Sequence, residues 1–288
     1  MSATRIVTSD VELSLHVSGP DDGPVVVLVH GFPDNRKVWD RVVDDLERDH
    51  RVATYDVRGA GESTAPSSRS GYKMSRLVDD LVAVLDEVTP DGRPVHLVGH
   101  DWGSVQLWAA VMRESADERL RGRIASFTSV SGPGLDLYGH FVRDGLRHRR
   151  FGTVGRQLLN SWYAAMFQMP VLPELVIQRL GGRIRERMEK LERVSHWDDS
   201  TFRSDARNGV NLYRANRLSF RRSTTAVPVQ LIVPTKDAFL IPALYGEIET
   251  FAPDLRRLDV VAKHWIVQTQ PQMMADAVRA FVEDVEER

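Results

Sequence analysis

Two rhythms of apolar and polar residues alternate along the first half of the chain. Val11, Leu13, Leu15 and Val17 are interleaved with Glu12, Ser14 and His16, which predicts a half-buried strand over 11–17. The turn cluster Gly19 to Pro24 closes it. Pro24 to His30 is then almost wholly aliphatic, the pattern of a strand covered on both faces of a parallel sheet. Helical spacing follows over 38–46 and a strand over 51–56. A helix over 74–85 places Leu77, Val78, Leu81, Val82 and Leu85 on one face. Strands are predicted at 94–98 and 124–130, with a helix over 104–112 between them. Such alternation predicts a doubly wound, mostly parallel α/β sheet.

The rhythm changes after Gly132-Pro133-Gly134. From 134 to about 225 the spacing is helical and no strand is evident. Strands return at 228–233 and 255–261, and a last helix is expected from about 272 to 285. The expected organisation is a core domain built from 1–133 and 226–288, split by a helical domain over 134–225. Charge marks the same division. Residues 134–225 hold 17 Lys/Arg and 9 Asp/Glu, a formal +8, against −10 for the remainder. Charge complementarity between two packed lobes accounts for that contrast. The alternative reading is a basic rim that attracts an anionic or amphipathic substrate.

Composition narrows the function classes. The chain has 288 residues, 42% of them hydrophobic, with a formal charge of −2 and no cysteine. A sizeable core is therefore expected, and disulfides, thiolate nucleophiles and Cys-ligated metals are excluded. The near-neutral total gives no field for nucleic acid. No stretch is apolar for long enough to make a signal peptide or an integral membrane span. A soluble, cytoplasmic globular protein is expected; a homodimer stays open.

Gly99-His100-Asp101-Trp102-Gly103 follows a buried strand and precedes a helix. A residue flanked in this way sits at a sharp strand-to-helix turn, with its side chain presented at the sheet edge. Here it is Asp101. A carboxylate is already an anion at neutral pH, so it attacks a saturated carbon without help from a base. The product is an ester, which an activated water then cleaves. An N-cap for the next helix is the plainer role for Asp101, but it leaves the flanking glycines unexplained.

Such chemistry needs a base and an acid to orient it. Asp237 stands just beyond the strand ending at Val233, and His264 just beyond the one ending near Val261. His264 is also the only histidine after position 196. Both fall at the edge of an open α/β sheet where ligands bind. His30-Gly31-Phe32-Pro33 ends the first buried strand. The backbone N–H groups of Phe32 and Trp102 are candidates for an oxyanion hole, and the Phe32–Pro33 bond for a cis peptide.

These residues resemble a known family. His30-Gly31-Phe32-Pro33, Asp56-Val57-Arg58-Gly59-Ala60-Gly61-Glu62-Ser63, the Asp101 turn, Lys236-Asp237 and His264-Trp265 with Gln268 and Pro271 match motifs of the α/β-hydrolase superfamily. Within it they match those of the epoxide hydrolases. The likeness is greatest to the hydrolase part of actinobacterial epoxide hydrolases that carry a further C-terminal dehydrogenase domain; the present sequence ends after the last hydrolase helix. The resemblance implies an α/β-hydrolase fold with a helical cap over 134–225, a small-molecule epoxide as substrate, and a reaction that requires no metal or cofactor. In that family two cap tyrosines bind the epoxide oxygen and protonate it. Tyr163, in Tyr163-Ala164-Ala165-Met166-Phe167-Gln168-Met169-Pro170, and Tyr213, in Asn211-Leu212-Tyr213-Arg214-Ala215-Asn216, match the two tyrosine segments. Tyr138 matches neither. One departure is Lys263, where the family usually has Gly; its side chain is expected to point to solvent.

Two other functions share this scaffold. A haloalkane dehalogenase would use the same Asp101, His264 and Asp237 but needs N–H donors for a halide. Trp102 fits that role, yet Phe32 stands where those relatives carry Asn, which leaves Trp162 or Trp197 as substitutes. A haloacid dehalogenase would have Arg in place of Trp102. A non-catalytic binding protein is disfavoured by the presence of both Asp101 and His264.

Overall fold

The computed structural model describes residues 4–288; Met1 to Ala3, counted above with the core, lie outside the described residues. Eight strands form one sheet: β1 (Thr4–Val7), β2 (Glu12–Ser18), β3 (Val25–Val29), β4 (Arg51–Tyr55), β5 (Val95–His100), β6 (Ile124–Val130), β7 (Val229–Pro234) and β8 (Leu255–Val260). Their order is β1-β2-β4-β3-β5-β6-β7-β8. Pairing is antiparallel at β1/β2 and β2/β4 and parallel from there to β8.

β3 shows why an unbroken aliphatic run suits the centre of this sheet. Val25, Val27 and Val29 pack into one hydrophobic layer and Val26 and Leu28 into the other, because successive side chains of a strand point to opposite faces. The first layer includes helices α2 (Met74–Val88) and α3 (Trp102–Val111). The second includes α1 (Asp40–Leu46) and α10 (Pro271–Glu286). All five β3 side chains are buried, and each such burial is worth roughly 1.5–3 kcal/mol. Edge strand β8 instead exposes Arg256, Arg257 and Asp259, charges that discourage pairing with another sheet.

Between β6 and β7 the chain is helical: α4 (Leu135–Arg147), α5 (Phe151–Asn160), α6 (Trp162–Met166), α7 (Leu172–Glu192) and α8 (Phe202–Ala215). A short α9 (Ile266–Thr269) precedes α10. Strand β1 goes beyond the sequence expectation. Four residues with a single buried side chain, Ile6, carry too little alternation to be read. The helix expected from Ser104 begins two residues earlier, directly after Asp101. No helix among the described residues is long and apolar enough to cross a membrane.

Polar side chains tie the inserted helices to the sheet layer. Gln157 on α5 is fully buried; its amide N–H groups donate to the Phe239 carbonyl at 2.9 Å, and its oxygen accepts from Ile241 N–H at 2.9 Å. Asn208 on α8 donates to the Gly59 carbonyl at 2.8 Å, and Asn216 to that of Tyr72 at 2.8 Å.

Candidate active site

The candidate site lies at the carboxyl ends of β3, β5, β7 and β8. Asp101 follows β5 with φ 52° and ψ −123°, in the left-handed region that a non-glycine residue seldom occupies. The surrounding structure imposes this turn. A Cβ at Gly103 would lie 2.0 Å from the Val29 carbonyl oxygen, and one at Gly31 would lie 2.4 Å from Asp101 Oδ1. Only glycine lets α3 and the β3 loop close on the carboxylate from both sides.

Asp101 Oδ1 accepts the Phe32 N–H at 2.7 Å. Trp102 opens α3 directly after it. The Phe32–Pro33 peptide is cis. His264 Nε2 stands 3.6 Å from Asp101 Oδ2, and His264 Nδ1–H donates to Asp237 Oδ2 at 2.7 Å. Asp237 Oδ1 in turn accepts from the N–H groups of Phe239 at 2.7 Å and Leu240 at 3.1 Å. The three side chains expected to act together are therefore in line. Burial opposes charge on His264, but the carboxylates of Asp237 and Asp101 outweigh it and hold its pKa well above the ordinary value.

A cavity of about 550 Å³ opens above this line, with Asp101 and His264 at its floor. Tyr163 on α6 and Tyr213 on α8 line it too, their rings 5.9 Å apart and nearly perpendicular. Tyr213 also meets Phe32 at 5.3 Å and Trp102 at 4.8 Å, both edge to face. Burial, reinforced by the negative charge of Asp101, pushes both phenol pKa values up. Both hydroxyls are therefore protonated donors at neutral pH. Most remaining lining is apolar, including Phe167, Ile177 and Met188. Tyr138 donates to Ser161 Oγ at 3.1 Å, a packing contact.

Lys263 departs from expectation. Its ammonium donates to the Leu191 carbonyl near the end of α7 instead of pointing to solvent. Trp197 is likewise committed elsewhere, since its indole N–H donates to Asp34 Oδ1 at 2.6 Å.

Asp34 carries no local motif of its own in the sequence. It is buried and accepts also from His196 Nε2 at 2.8 Å and Trp265 Nε1 at 2.9 Å. Burial pushes its pKa up, but the bond and charge of His196, the charge of His100 and the Trp265 bond outweigh it and hold the group below the carboxylate range. One carboxylate thus joins the β3 loop, the α7–α8 connection and the residue after His264. The signal was present only as an acid directly after Pro33, beside motifs that carried more obvious chemistry. His100, inside the nucleophile turn, is a second buried polar group of this kind. Its Nε2–H donates to the His264 carbonyl at 3.0 Å, and burial together with the His264 charge lowers its pKa to about 4. It is a neutral brace for the histidine loop.

The family model described as alpha/beta hydrolase fold matches residues 24–268. A probable oxidoreductase, EphD, of Mycobacterium tuberculosis is 38% identical over 299 residues, covering 97% of this chain and 49% of that protein. The chain thus spans about half the length of that relative. Epoxide hydrolase 3 of Xenopus tropicalis is 26% identical, covering 97% and 77%. Among solved structures, the crystal structure of Bacillus megaterium epoxide hydrolase in complex with an inhibitor superposes with a TM-score of 0.80, over 97% of this chain and 100% of that one, at 21% identity. With a matched segment that runs from the start of β3 to the histidine loop, this chain belongs to the α/β-hydrolase fold family.

Proposed function

We propose that this chain is an epoxide hydrolase that converts an epoxide to a vicinal diol through an ester on Asp101. The observation that carries the reading is the carboxylate of Asp101, fixed by Phe32 N–H at 2.7 Å and facing His264 at 3.6 Å, beneath two half-buried phenols that line the same cavity. In the first step an Asp101 oxygen attacks an epoxide carbon and the ring C–O bond breaks. Tyr163 and Tyr213 donate hydrogen bonds to the departing oxygen, and one of them delivers its proton. In the second step His264 takes a proton from water, and the hydroxide adds to the ester carbonyl carbon. The Phe32 and Trp102 N–H groups hold the oxyanion. Its collapse releases the diol and restores the carboxylate. Between the two steps His264, protonated in the resting site, gives its proton to the tyrosinate left by ring opening; the proton it then takes from water restores it, so one water is consumed. No cofactor or metal enters this scheme. The helices over 134–225 act as a cap domain that supplies the tyrosines, with 1–133 and 226–288 as the core.

The charge on His264 fits this order. In the resting site Asp101 helps to keep the imidazole protonated. Alkylation removes that negative charge, so the pKa of His264 falls when a base is needed. A dehalogenase reading fares worse. A halide needs no proton from two phenols, and the N–H of Trp197 is already held by Asp34.

Incubation with styrene oxide and with 1,2-dibromoethane separates these readings. Diol formed from the first, with one oxygen of labelled water entering Asp101 in a single turnover, supports the ester route. Halide release from the second without diol from the first overturns it.

A further inference from the structure

The inserted helices bury less apolar surface than they carry. Helix α5 turns Val154 and Gln157 inward. On its other side Phe151, Leu158, Leu159 and the following Trp162 are 60%, 49%, 74% and 61% exposed. Their spacing sets them along one arc of the helix. Gly152 and Gly155 share that arc, and a Cβ at either would meet nothing within 4 Å, so the face is open. The stripe does not end in solvent, because Leu159 and Trp162 also line the cavity above Asp101. Helix α7, the longest to line the same cavity, exposes Leu172, Leu175 and Leu180.

Exposed arginines accompany both helices in the chain. Arg147, Arg149 and Arg156 flank the α5 stripe. Arg179, Arg183 and Arg187 recur at four-residue spacing on the exposed face of α7. None of the six lies within 4 Å of a carboxylate among the described residues. An exposed apolar stripe such as that on α5 marks an interaction site on a folded protein. Its occupant must accept apolar side chains and offer negative charge around them. A second copy of this chain on a two-fold axis would set the arginine rim against itself. A bilayer with anionic headgroups meets both conditions, with Trp162 suited to the headgroup boundary.

We propose that the α5–α6 face docks on an anionic lipid surface and draws an apolar epoxide from it past Leu159 and Trp162. The nature of the cargo rests on the epoxide hydrolase reading; the docking does not.

Flotation of the full chain with vesicles tests the docking directly. Vesicles of equal parts phosphatidylcholine and phosphatidylglycerol should carry the protein, and pure phosphatidylcholine vesicles should not. Salt near 1 M should release it. Arg147→Glu with Arg149→Glu, and separately Phe151→Ser with Leu158→Ser, should each weaken binding roughly tenfold or more. Turnover of styrene oxide in vesicle-free buffer should stay within about twofold of wild type, since none of the four residues touches the cavity. Failure to bind anionic vesicles, with styrene oxide turnover intact, overturns the docking and spares the activity. Binding without turnover spares the docking and sinks the cargo. Equal binding to both vesicle types, or a dimer in sedimentation that Phe151→Ser with Leu158→Ser dissolves, assigns the face to another partner and overturns the proposal.

Discussion

Asp101, Asp237 and His264 each stand within four residues of the end of a strand, whereas Tyr163 and Tyr213 hang from α6 and α8 of the insertion. Asp101 and Asp237 follow strands paired on both sides, and His264 follows edge strand β8, which is paired along its length with β7. β5 pairs with β3 and β6, and β7 with β6 and β8, so the backbone of this first group has little freedom to move. The second group is held over the floor by separate side-chain ties, chiefly Asp34 to Trp197, Gln157 to Phe239 and Asn208 to Gly59. In the proposed reaction, the atoms that form and break bonds are thus placed by backbone geometry. The atoms proposed to select and protonate the substrate are placed by side chains that can be changed one at a time. Mutations on the two sides should differ accordingly.

The sharpest contrast comes from the floor. Asp101→Asn should abolish diol formation, with a loss of roughly 10⁴-fold or more in kcat/KM and no change in melting temperature beyond a few degrees. His264→Gln should slow hydrolysis by roughly 10³- to 10⁴-fold while leaving alkylation. The substrate should then remain on Asp101 as added mass in an intact-protein spectrum. Absence of that adduct on active-site titration would count against the ester. The same step sets the pH dependence. His264 must be neutral to act, so kcat should fall as pH drops through its pKa in the alkylated enzyme. Loss of the Asp101 charge places that pKa below the free-enzyme value. Asp237→Asn removes the larger attraction, so the acid limb of the kcat profile should move to lower pH as kcat declines.

The roof should respond more mildly. Tyr163→Phe or Tyr213→Phe should each cost on the order of 10²-fold in alkylation rate, measured by rapid quench, with more lost when both are changed. Equal rates in the double variant would return both residues to packing.

Smaller again is the effect of the tie between the two sides. Asp34→Ala leaves the N–H groups of Trp197, Trp265 and His196 without an acceptor, which should destabilise the fold by roughly 2–4 kcal/mol in urea titration. The folded state holds Asp34 below its ordinary pKa. Its contribution is therefore full above that ordinary value and is lost as pH falls through the folded one, so the wild-type advantage should shrink in acid. Least of all, Met188→Ala on α7 should alter preference among epoxides of different chain length by no more than about tenfold, read as kcat/KM ratios.

Much of this molecule was legible before its coordinates. The unbroken run at Val25–Val29 and the small residues around Asp101 have no other good explanation, because burial on two faces and a turn at positive φ each leave a local imprint on composition. Asp237 and His264 were legible from their place just beyond a strand end, and Tyr163 and Tyr213 through the resemblance of their segments to family motifs. Each is carried by a few neighbours in the chain. Asp34, His100 and Gln157 were not, since their partners lie 163, 164 and 82 residues away and a lone buried polar residue has no periodicity. Nor does helical spacing tell which side of α5 meets protein and which meets solvent. Phe151 and Val154 are both apolar, and only the packing of Gln157 against the Asp237 loop decides that the first faces outward. Local chemistry is written in nearest neighbours; the cavity and the open face above it are settled by contacts that the fold alone brings together.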